Sequence, residues 1–283
     1  MSEVPCSQRT FSLVLRPFFD RTVSHYAFWW KHLRERIGRD EAVLVWRAAF
    51  QRYDLPLLES ILACGWVRTE PLESGPSSGD RKASVVATDS TSGESGRLPD
   101  PETAAVIGEA PPIRQIRSRF ADLTVQRETT AYEAVHLYAH WQALLAEALL
   151  DRYGKQGELI AYDIMRARRA ASTPPGGMSV REFMEQMDGA LGPGRGTRDL
   201  FGVTLDVEVV SASPTEHVSR IRHCVWAQYL RERHPRVGYL VACSTDEAFA
   251  RASNAALRLQ RTSTLMESGQ FCDFRYYGVQ EES

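Results

Sequence analysis

The chain has 283 residues, a length that corresponds to one or two domains. Hydrophobic residues make up 43% of it and charged residues 25%, which is typical of globular proteins and excludes the fibrous, collagen-like and wholly disordered classes. The net charge is -2, so the chain lacks the basic excess that proteins binding the nucleic-acid backbone usually carry.

Positive charge comes almost entirely from arginine. Lys31, Lys82 and Lys155 are the only lysines, and Asn254 is the only asparagine. We therefore expect any site that holds a carboxylate in this chain to use arginine, whose planar guanidinium binds both carboxylate oxygens at once.

The sequence does not favour a membrane protein or a protein stabilised by a structural metal ion. No run of about 18 apolar residues occurs, so no transmembrane helix is predicted. Arg9, Arg16 and Pro17 interrupt the N-terminal stretch, which does not resemble a signal peptide. The cysteines are odd in number, widely spaced and without a CxxC pair; they lie at positions 6, 64, 224, 243 and 272. This pattern predicts a reduced, cytoplasmic protein without a structural zinc site.

The first part of the chain, residues 10–66, is predicted to be helical. Gly38 is expected to end a first, aromatic-rich helix, and apolar residues recur at helical spacing after Asp40. A third helix is predicted between Asp54, a good N-cap, and Gly65, a good residue just beyond a helix end.

Residues 70–112 differ in composition from the rest. The stretch has no aromatic residue and is dominated by Ser, Thr, Gly, Pro, Asp and Glu. Such a composition buries too little apolar surface to offset the loss of chain entropy. We therefore predict a disordered, acidic linker over 70–112, which joins an N-terminal helical segment (1–69) to an α+β domain (113–283).

Helices are predicted to resume in the middle of the chain. A strongly amphipathic helix is expected over 128–152 and a second one over 158–171. A third helix is expected to begin at Ser179, with Glu182 as the second member of a capping box.

From Phe201 the hydrophobic period becomes strand-like, because apolar residues alternate from Val203 to Val209. Helices are expected over Val225–Arg233 and Asp246–Ser253, while the apolar run 237–243 fits either a helix or a strand. The expected fold class is α+β, with a mostly helical N-terminal and middle part and a small antiparallel sheet near the C-terminus.

Two strands are predicted to close the chain as a hairpin around Ser268 and Gly269. Leu265 would then face Cys272, and Arg261 would face Tyr276. This face is otherwise apolar, and an unpaired buried guanidinium is very costly.

Arg261 would therefore need a carboxylate, supplied either by a ligand or by Asp246 or Asp273. A register shift of one residue would reverse the facing of both strands. It would bring a different set of side chains inward, namely Arg258, Thr262, Thr264 and Asp273.

Two further groups of residues suggest chemistry. His136 and His140 lie four residues apart on one predicted helix, a spacing that a metal could use, but the glutamate of an HExxH motif is missing. We therefore predict a packed histidine pair and no metal. Cys224, Cys243 and Cys272 fall at the ends of C-terminal elements, where a thiolate would need its pKa lowered by a neighbour such as His223.

The C-terminal residues resemble those of a known family. The similarity extends over about 120–283 and is most specific over 222–276, where it rests on Arg222, Cys224, Tyr229, Cys243, Asp246, Phe249, Asn254, Leu257, Arg258, Arg261, Thr262, Thr264, Leu265, Glu267, Gly269, Cys272, Asp273 and Phe274. This set is similar to the C-terminal signature of the L-2-amino-thiazoline-4-carboxylic acid hydrolase family. The chain departs from it at Ser253, where a glycine is usual, and at Gln270 and Phe271, where the family has an acidic pair.

The resemblance implies a hydrolase that opens a C–N or C=N bond in a small heterocycle bearing a carboxylate, or in an amino-acid derivative. Such a reaction needs a nucleophile, a base and an acid for the leaving nitrogen. The implied catalytic residues are Cys272 or Cys243 as nucleophile and Asp273 or Asp246 as base. The implied substrate-binding residues are Arg261, Arg258, Asn254, Thr264 and His223.

Two other functions fit the same sequence. The scaffold could bind a small molecule without catalysis, as the departures at 253 and 270–271 favour, or the cysteines could serve a redox or metal function. For the hydrolase we expect no cofactor and no metal. Its partner would be a small-molecule carboxylate substrate, not nucleic acid or a membrane, and a homodimer is allowed.

Overall fold

A computed structural model describes residues 6–63, 65–68, 101–171, 173, 177–191, 203–267 and 269–279. The described residues form an α+β protein that is mostly helical, as predicted from the sequence. Its helices are α1 (Leu15–Ile37), α2 (Arg39–Gln51), α3 (Leu55–Ala63), α4 (Pro101–Glu109), α5 (Pro111–Arg119), α6 (Ala131–Tyr153), α7 (Lys155–Ala171), α8 (Val180–Leu191), α9 (Val225–Arg233), α10 (Gly238–Ala242) and α11 (Asp246–Ser253). None of these helices is long and apolar enough to cross a membrane.

Two antiparallel sheets accompany the helices. The strands are β1 (Thr10–Val14), β2 (Val67–Arg68), β3 (Val125–Thr130), β4 (Leu205–Ser213), β5 (Glu216–Cys224), β6 (Leu257–Gln260) and β7 (Cys272–Gly278). Sheet A has the order β1-β3-β2 and sheet B the order β4-β5-β7-β6. Sheet B is the predicted C-terminal sheet, whereas sheet A was not predicted.

Sheet A corrects the prediction that residues 10–66 are wholly helical. Phe11 of β1 pairs with Thr129 of β3, more than a hundred residues later in the chain. Exposed and buried side chains alternate along β1, with Phe11 and Leu13 facing the core. Five residues are too few to reveal this period reliably in a sequence, so the strand depends on its distant partner.

The predicted helix ends are confirmed. Gly38 and Gly65 have φ angles of 79° and 80°, which favour glycine at these two positions. The carboxylate of Asp54 accepts a hydrogen bond from the Leu57 amide at the start of α3. Ser179 and Glu182 form the expected reciprocal capping box at the start of α8.

The core is built around α6, which is buried on almost every side. Trp141 of α6 lies in an aromatic cluster with Tyr26, Trp29 and Trp46, where the Tyr26 and Trp141 ring centroids are 4.4 Å apart. One continuous apolar cluster runs from β1 through α1 and α2 to α9 and α10. The N-terminal helices and the later part of the chain therefore share a single core.

The predicted disorder of the linker is wrong over its last residues. Residues 69–100 lie outside the described part of the chain, but 101–112 contain α4 and the start of α5. Ile107 and Ala110 are buried in the main core, as is Ile113 just beyond. The run from Ala104 to Ile107 gives this part enough apolar surface to pack, despite the polar residues before it.

The predicted hairpin register is also wrong, although the predicted inner face is right. Leu259, not Arg261, pairs with Tyr276, and β6 already ends at Gln260. Residues Leu265–Glu267 form a 3-10 turn that lengthens the connection. The register differs from the predicted one by two residues, which preserves the side-chain facing, and the alternative shift of one residue is not found.

A close crossing between α6 and α7 gives a first prediction. A Cβ atom at Gly157 would overlap the carbonyl oxygen of Leu149. We expect Gly157→Ala to lower the free energy of unfolding by about 1–3 kcal/mol, because the backbones must separate. Gly108 of α4 is the control, since a Cβ there would meet its nearest neighbour, a flexible Arg117 side chain, at 3.6 Å.

In urea unfolding, Gly108→Ala should raise the free energy of unfolding by up to about 1 kcal/mol through helix propensity. Equal effects of the two substitutions would contradict this account of the crossing.

Candidate active site

The predicted catalytic residues meet at one end of sheet B. Cys224 ends β5 and Cys272 begins β7, next to its strand partner Ile221. Cys243 follows α10, and Asp246 opens α11. The three cysteines are free, and the charge of Asp246 contributes to raising the pKa of each of them. The fold therefore gathers residues that are up to 48 positions apart in sequence.

An ion pair between Arg261 and Asp246 organises this end of the sheet. Arg261 Nη1 donates to Asp246 Oδ2 at 2.7 Å, and only 10% and 20% of the two side chains are exposed. Arg261 Nη2 donates to the Tyr239 hydroxyl at 3.1 Å and to the Cys243 carbonyl at 3.0 Å. Of the carboxylates considered from the sequence, Asp246 is the one that neutralises Arg261.

Aromatic rings enclose the same guanidinium. Its central carbon lies 5.6 Å from the Tyr239 ring centroid and 5.3 Å from that of Phe274. Both distances are within the range of a cation–π interaction. Because the pair is largely desolvated, removal of one partner would strand the other charge, at a cost of about 3–5 kcal/mol.

The carboxyl group of Asp246 has the electrostatic properties expected of a general base. Burial raises its pKa above the ordinary value, and the positive charges of Arg261 and Arg169 offset this only in part. One fifth of the side-chain surface nevertheless stays accessible. The side chain is therefore not fully enclosed, and its carboxyl group has an increased affinity for a proton.

The three thiols do not meet the condition stated for a thiolate nucleophile. Burial raises the pKa of Cys224 to about 12 and also raises the pKa values of Cys243 and Cys272. The sulfurs of Cys224 and Cys272 accept hydrogen bonds from the Ala227 and Leu265 amides, but these bonds do not outweigh burial. All three side chains are therefore protonated near neutral pH.

The carboxylate of Asp273 holds the chain that follows β6. It accepts hydrogen bonds from the Thr262 amide and hydroxyl and from the Ser263 amide. Burial alone would raise the pKa of Asp273, but these hydrogen bonds outweigh it and lower the pKa. This is the opposite of the raised pKa that the sequence argument required for a base.

Asn254 and Thr264 also have structural partners. Asn254 Nδ2 donates to the Met178 carbonyl at 2.9 Å, and its Oδ1 accepts from the Ala256 amide at 2.8 Å. Thr264 and Glu267 cap the short 3-10 turn reciprocally. The side-chain groups proposed to bind substrate are thus used to hold loops.

The two remaining predicted binding residues point elsewhere. Arg258 donates to the carbonyls of Ala255 and Leu257, next to it in the chain. His223 is exposed and is not among the groups that influence the pKa of Cys224. Neither residue joins the cluster around Asp246.

Several residues that were not predicted from the sequence also line this region. Arg169 of α7 and Tyr239 of α10 flank Asp246 and Arg261. His217 and Ser219 of β5 share the inner face of sheet B with the catalytic candidates. Their strand was not predicted, because polar residues occupy alternate positions along it; only the pairing with β7 reveals their facing.

A second titratable cluster lies in the main core. The Asp54 amide donates to His140 Nε2 at 3.2 Å, so this nitrogen carries no proton. In neutral His140, Nδ1 then donates to His234 Nε2 at 2.8 Å, and His234 Nδ1 donates to Glu147 at 3.1 Å. The N-terminal segment therefore fixes the tautomers of a buried histidine chain.

His136 completes this cluster. Its Nδ1 lies 2.7 Å from the Tyr229 hydroxyl, while its buried Nε2 has no partner among the described residues. Within the described ranges, no group of three or more His, Cys, Asp or Glu residues is arranged to hold a metal ion. A surface pocket bounded by Leu62, Trp66 and Phe120 contains none of the candidate residues.

Residues 122–276 match the family model of the L-2-amino-thiazoline-4-carboxylic acid hydrolases. This match extends over more than half of the chain and includes α6 to α11, all of sheet B apart from its last residues, and the site around Asp246. The chain therefore belongs to this family. The chain matches no curated protein and no solved structure.

The histidine cluster predicts a specific dependence of stability on pH. Burial lowers the pKa of His136 to about 4, whereas an unfolded histidine titrates near 6.5. As the pH falls from 6.5 to 4, the unfolded chain therefore binds the proton first. Each such histidine lowers the free energy of unfolding by about 1.4 kcal/mol per pH unit in this window, and above pH 6.5 its effect vanishes.

His136→Gln should make the slope of unfolding free energy against pH shallower between pH 4 and 6.5. Thr129→Val, which changes a buried side chain without a titratable group, is the control and should leave the slope unchanged. Urea unfolding at several pH values measures both, and identical slopes for all three proteins would contradict the assignment.

Proposed function

We propose that the protein is a hydrolase that opens a C–N or C=N bond in a small heterocycle bearing a carboxylate, similar to 2-aminothiazoline carboxylate, or in a related amino-acid derivative. The observation that carries this proposal is the partly exposed carboxylate of Asp246, whose pKa is raised by burial and which is paired with Arg261. Membership of the family supports the reaction class.

In the proposed reaction, Asp246 acts as the general base. It accepts a proton from a water molecule while the water oxygen attacks the sp² carbon of the ring. It delivers this proton to the ring nitrogen, so that the C=N bond becomes a C–N bond. It then accepts the proton of the new hydroxyl group and delivers it to the same nitrogen as the C–N bond breaks and the oxygen becomes a carbonyl oxygen. One water is consumed and nothing leaves, and proton transfer of this kind contributes a factor of about 10²–10⁴ to the rate.

Arg261 is proposed to act through Asp246 and not on the substrate. Its hydrogen bond keeps the carboxylate in one orientation, and its charge keeps the carboxylate ionised despite burial. The thiols of Cys243 and Cys272 are proposed to form a low-polarity wall, which strengthens the interaction of Asp246 with a proton. A reduced cytoplasm suits three free cysteines in this position.

A non-catalytic binding module is the second candidate. It is favoured by the full neutralisation of Arg261 within the protein and by the departures from the family signature at Ser253, Gln270 and Phe271. Incubation with carboxylated thiazolines and cyclic amidines, followed by mass spectrometry, separates the two. A product heavier by one water supports the hydrolase, and binding without such a product supports the module.

Substitution of the proposed base should abolish turnover. We expect Asp246→Asn to lower kcat by about 10²–10⁴, because the amide cannot accept the proton of water. Glu247→Gln is the matched control, since Glu247 is the next residue and is exposed. In the unmodified protein, kcat should fall as the pH drops through the raised pKa of Asp246. Full activity of Asp246→Asn would contradict the proposed role.

The cysteines provide an independent check on the mechanism. With water as the nucleophile, Cys243→Ser and Cys272→Ser should each retain kcat within about tenfold, since only the polarity of the wall changes. A covalent mechanism predicts a far larger loss in one of the two variants, together with an enzyme adduct visible by mass spectrometry. That outcome would mean that a cysteine thiol, and not water, is the nucleophile.

A further inference from the structure

The inner face of sheet B carries a polar pair that the proposed mechanism does not use. In the register of β5 with β7, His217 pairs with Tyr276, Ser219 with Phe274, and Ile221 with Cys272. Paired residues in antiparallel strands project to the same side of the sheet. His217 and Ser219 therefore share the face on which Cys272 and the aromatic neighbours of Arg261 lie.

Both polar side chains are fully buried and lack partners. His217 and Ser219 each have 0% of their surface exposed. Neither ring nitrogen of His217 nor the Ser219 hydroxyl has a hydrogen-bond partner in the described part of the chain. Burial lowers the pKa of His217, so its neutral ring offers one donor and one acceptor. A buried polar group without a hydrogen-bond partner is costly, and a bound water, ion or other ligand is one way to supply that partner.

A second cation, Arg169, lies near this region, and its charge acts on Asp246 without a direct ion pair. Arg169 of α7 is half-buried and places its guanidinium carbon 4.3 Å from the Phe249 ring centroid of α11. No ion pair joins it to a carboxylate of the described residues. Phe249 in turn contacts Phe183, whose ring contacts Tyr276 of the inner face.

Aromatic side chains separate the polar pair from this arginine. The Phe183 ring of α8 lies 5.3 Å from Tyr276 and 5.7 Å from Phe249, measured between centroids. Phe274 stacks next to Tyr276 at 6.1 Å. These rings belong to one apolar cluster between the sheet and the helices, and an apolar lining with a few polar groups is typical of small-molecule sites.

We infer that the layer between the inner face of sheet B and helices α7, α8 and α11 binds a small planar carboxylate, with Arg169 holding the carboxylate and His217 and Ser219 hydrogen-bonding an amidine or amide group at the other end. This inference rests on the proposed function and assigns the binding contacts of its substrate class. It assigns the contact with the substrate carboxylate to Arg169 and not to Arg261, because Asp246 already neutralises Arg261.

The carboxylate contact is tested by binding of three compounds, measured by calorimetry on the full chain. They are 2-aminothiazoline-4-carboxylate, 2-aminothiazoline without the carboxylate, and thiazoline-4-carboxylate without the amino group. Arg169→Gln should weaken binding of both carboxylates by tenfold or more and leave that of the uncharged analogue unchanged. Arg166→Gln, at an exposed position one turn earlier on α7, should change none of them.

The polar pair is tested by Ser219→Ala, which removes one hydroxyl with little change of shape. It should weaken binding of 2-aminothiazoline-4-carboxylate by about tenfold, but not that of the analogue without the amino group. Because the hydroxyl has no partner without ligand, the same substitution should raise Tm. Thr129→Val in β3 is the control, since Thr129 is also buried with an unsatisfied hydroxyl but lies in sheet A. It should raise Tm without affecting binding.

The outcomes separate this inference from the proposed function. Binding that depends on Arg169 and Ser219, without a hydrolysed product, supports the inference and contradicts the hydrolase. Hydrolysis by a protein whose binding is insensitive to both substitutions overturns the inference and leaves the hydrolase standing. A lower Tm for Ser219→Ala means that the hydroxyl has a partner in the free protein, which overturns the inference. Failure of all three compounds to bind overturns it as well.

Discussion

The ion pair between Arg261 and Asp246 is the constraint on which the candidate site depends. Arg261 follows β6, while its partners belong to α10, to the turn after α10 and to the first turn of α11. One guanidinium thus fixes the relative positions of two helices and the edge of sheet B. Because the pair is largely desolvated, its attraction is stronger than that of a surface pair. The three hydrogen bonds of Arg261 and the two aromatic rings beside it offset the cost of desolvation. Within this arrangement, burial raises the pKa of Asp246 and the charge of Arg261 opposes that effect.

The main core and the site depend on each other through α9 and α10. These helices pack against α6 on one side, and on the other they carry Cys224, Tyr239 and Cys243 to the end of sheet B. The aromatic cluster around Trp141 and the histidine chain that begins at the Asp54 amide make this support rigid. The N-terminal helices therefore contribute to the position of the catalytic candidates through their packing against α6.

Local patterns predicted much of the fold. Periodicity and capping residues identified α3, α8, α9 and α11, and the inner face of the closing strands. Sheet A and β5 were missed because their strands are defined by distant partners, and the 3-10 turn at Leu265 shifted the predicted pairing. At the site, the sequence argument paired Arg261 with Asp246 or Asp273, and the structure pairs it with Asp246. The family resemblance suggested roles for Asp273, Asn254 and Thr264, whose side chains form hydrogen bonds within their loops in the structure. Arg169, His217 and Ser219 had no local signal, because the pairing of β5 with β7 and the contact of α7 with α11 decide where they lie.

The way in which sheet A is closed bears on how chain length can vary in this protein. Arg68 of β2 pairs with Val125 of β3 and forms an ion pair with Asp122, while Glu102 of α4 forms ion pairs with Arg34 and Arg39. The chain is thus anchored to the same core immediately before and after residues 69–100. The entropy cost of closing a loop between fixed ends grows only with the logarithm of its length, by about 0.6 kcal/mol for each doubling. For an interval with the polar composition of this one, we therefore predict that an insertion or deletion changes the free energy of unfolding little, since the strand pairing and the ion pairs on either side lie outside it.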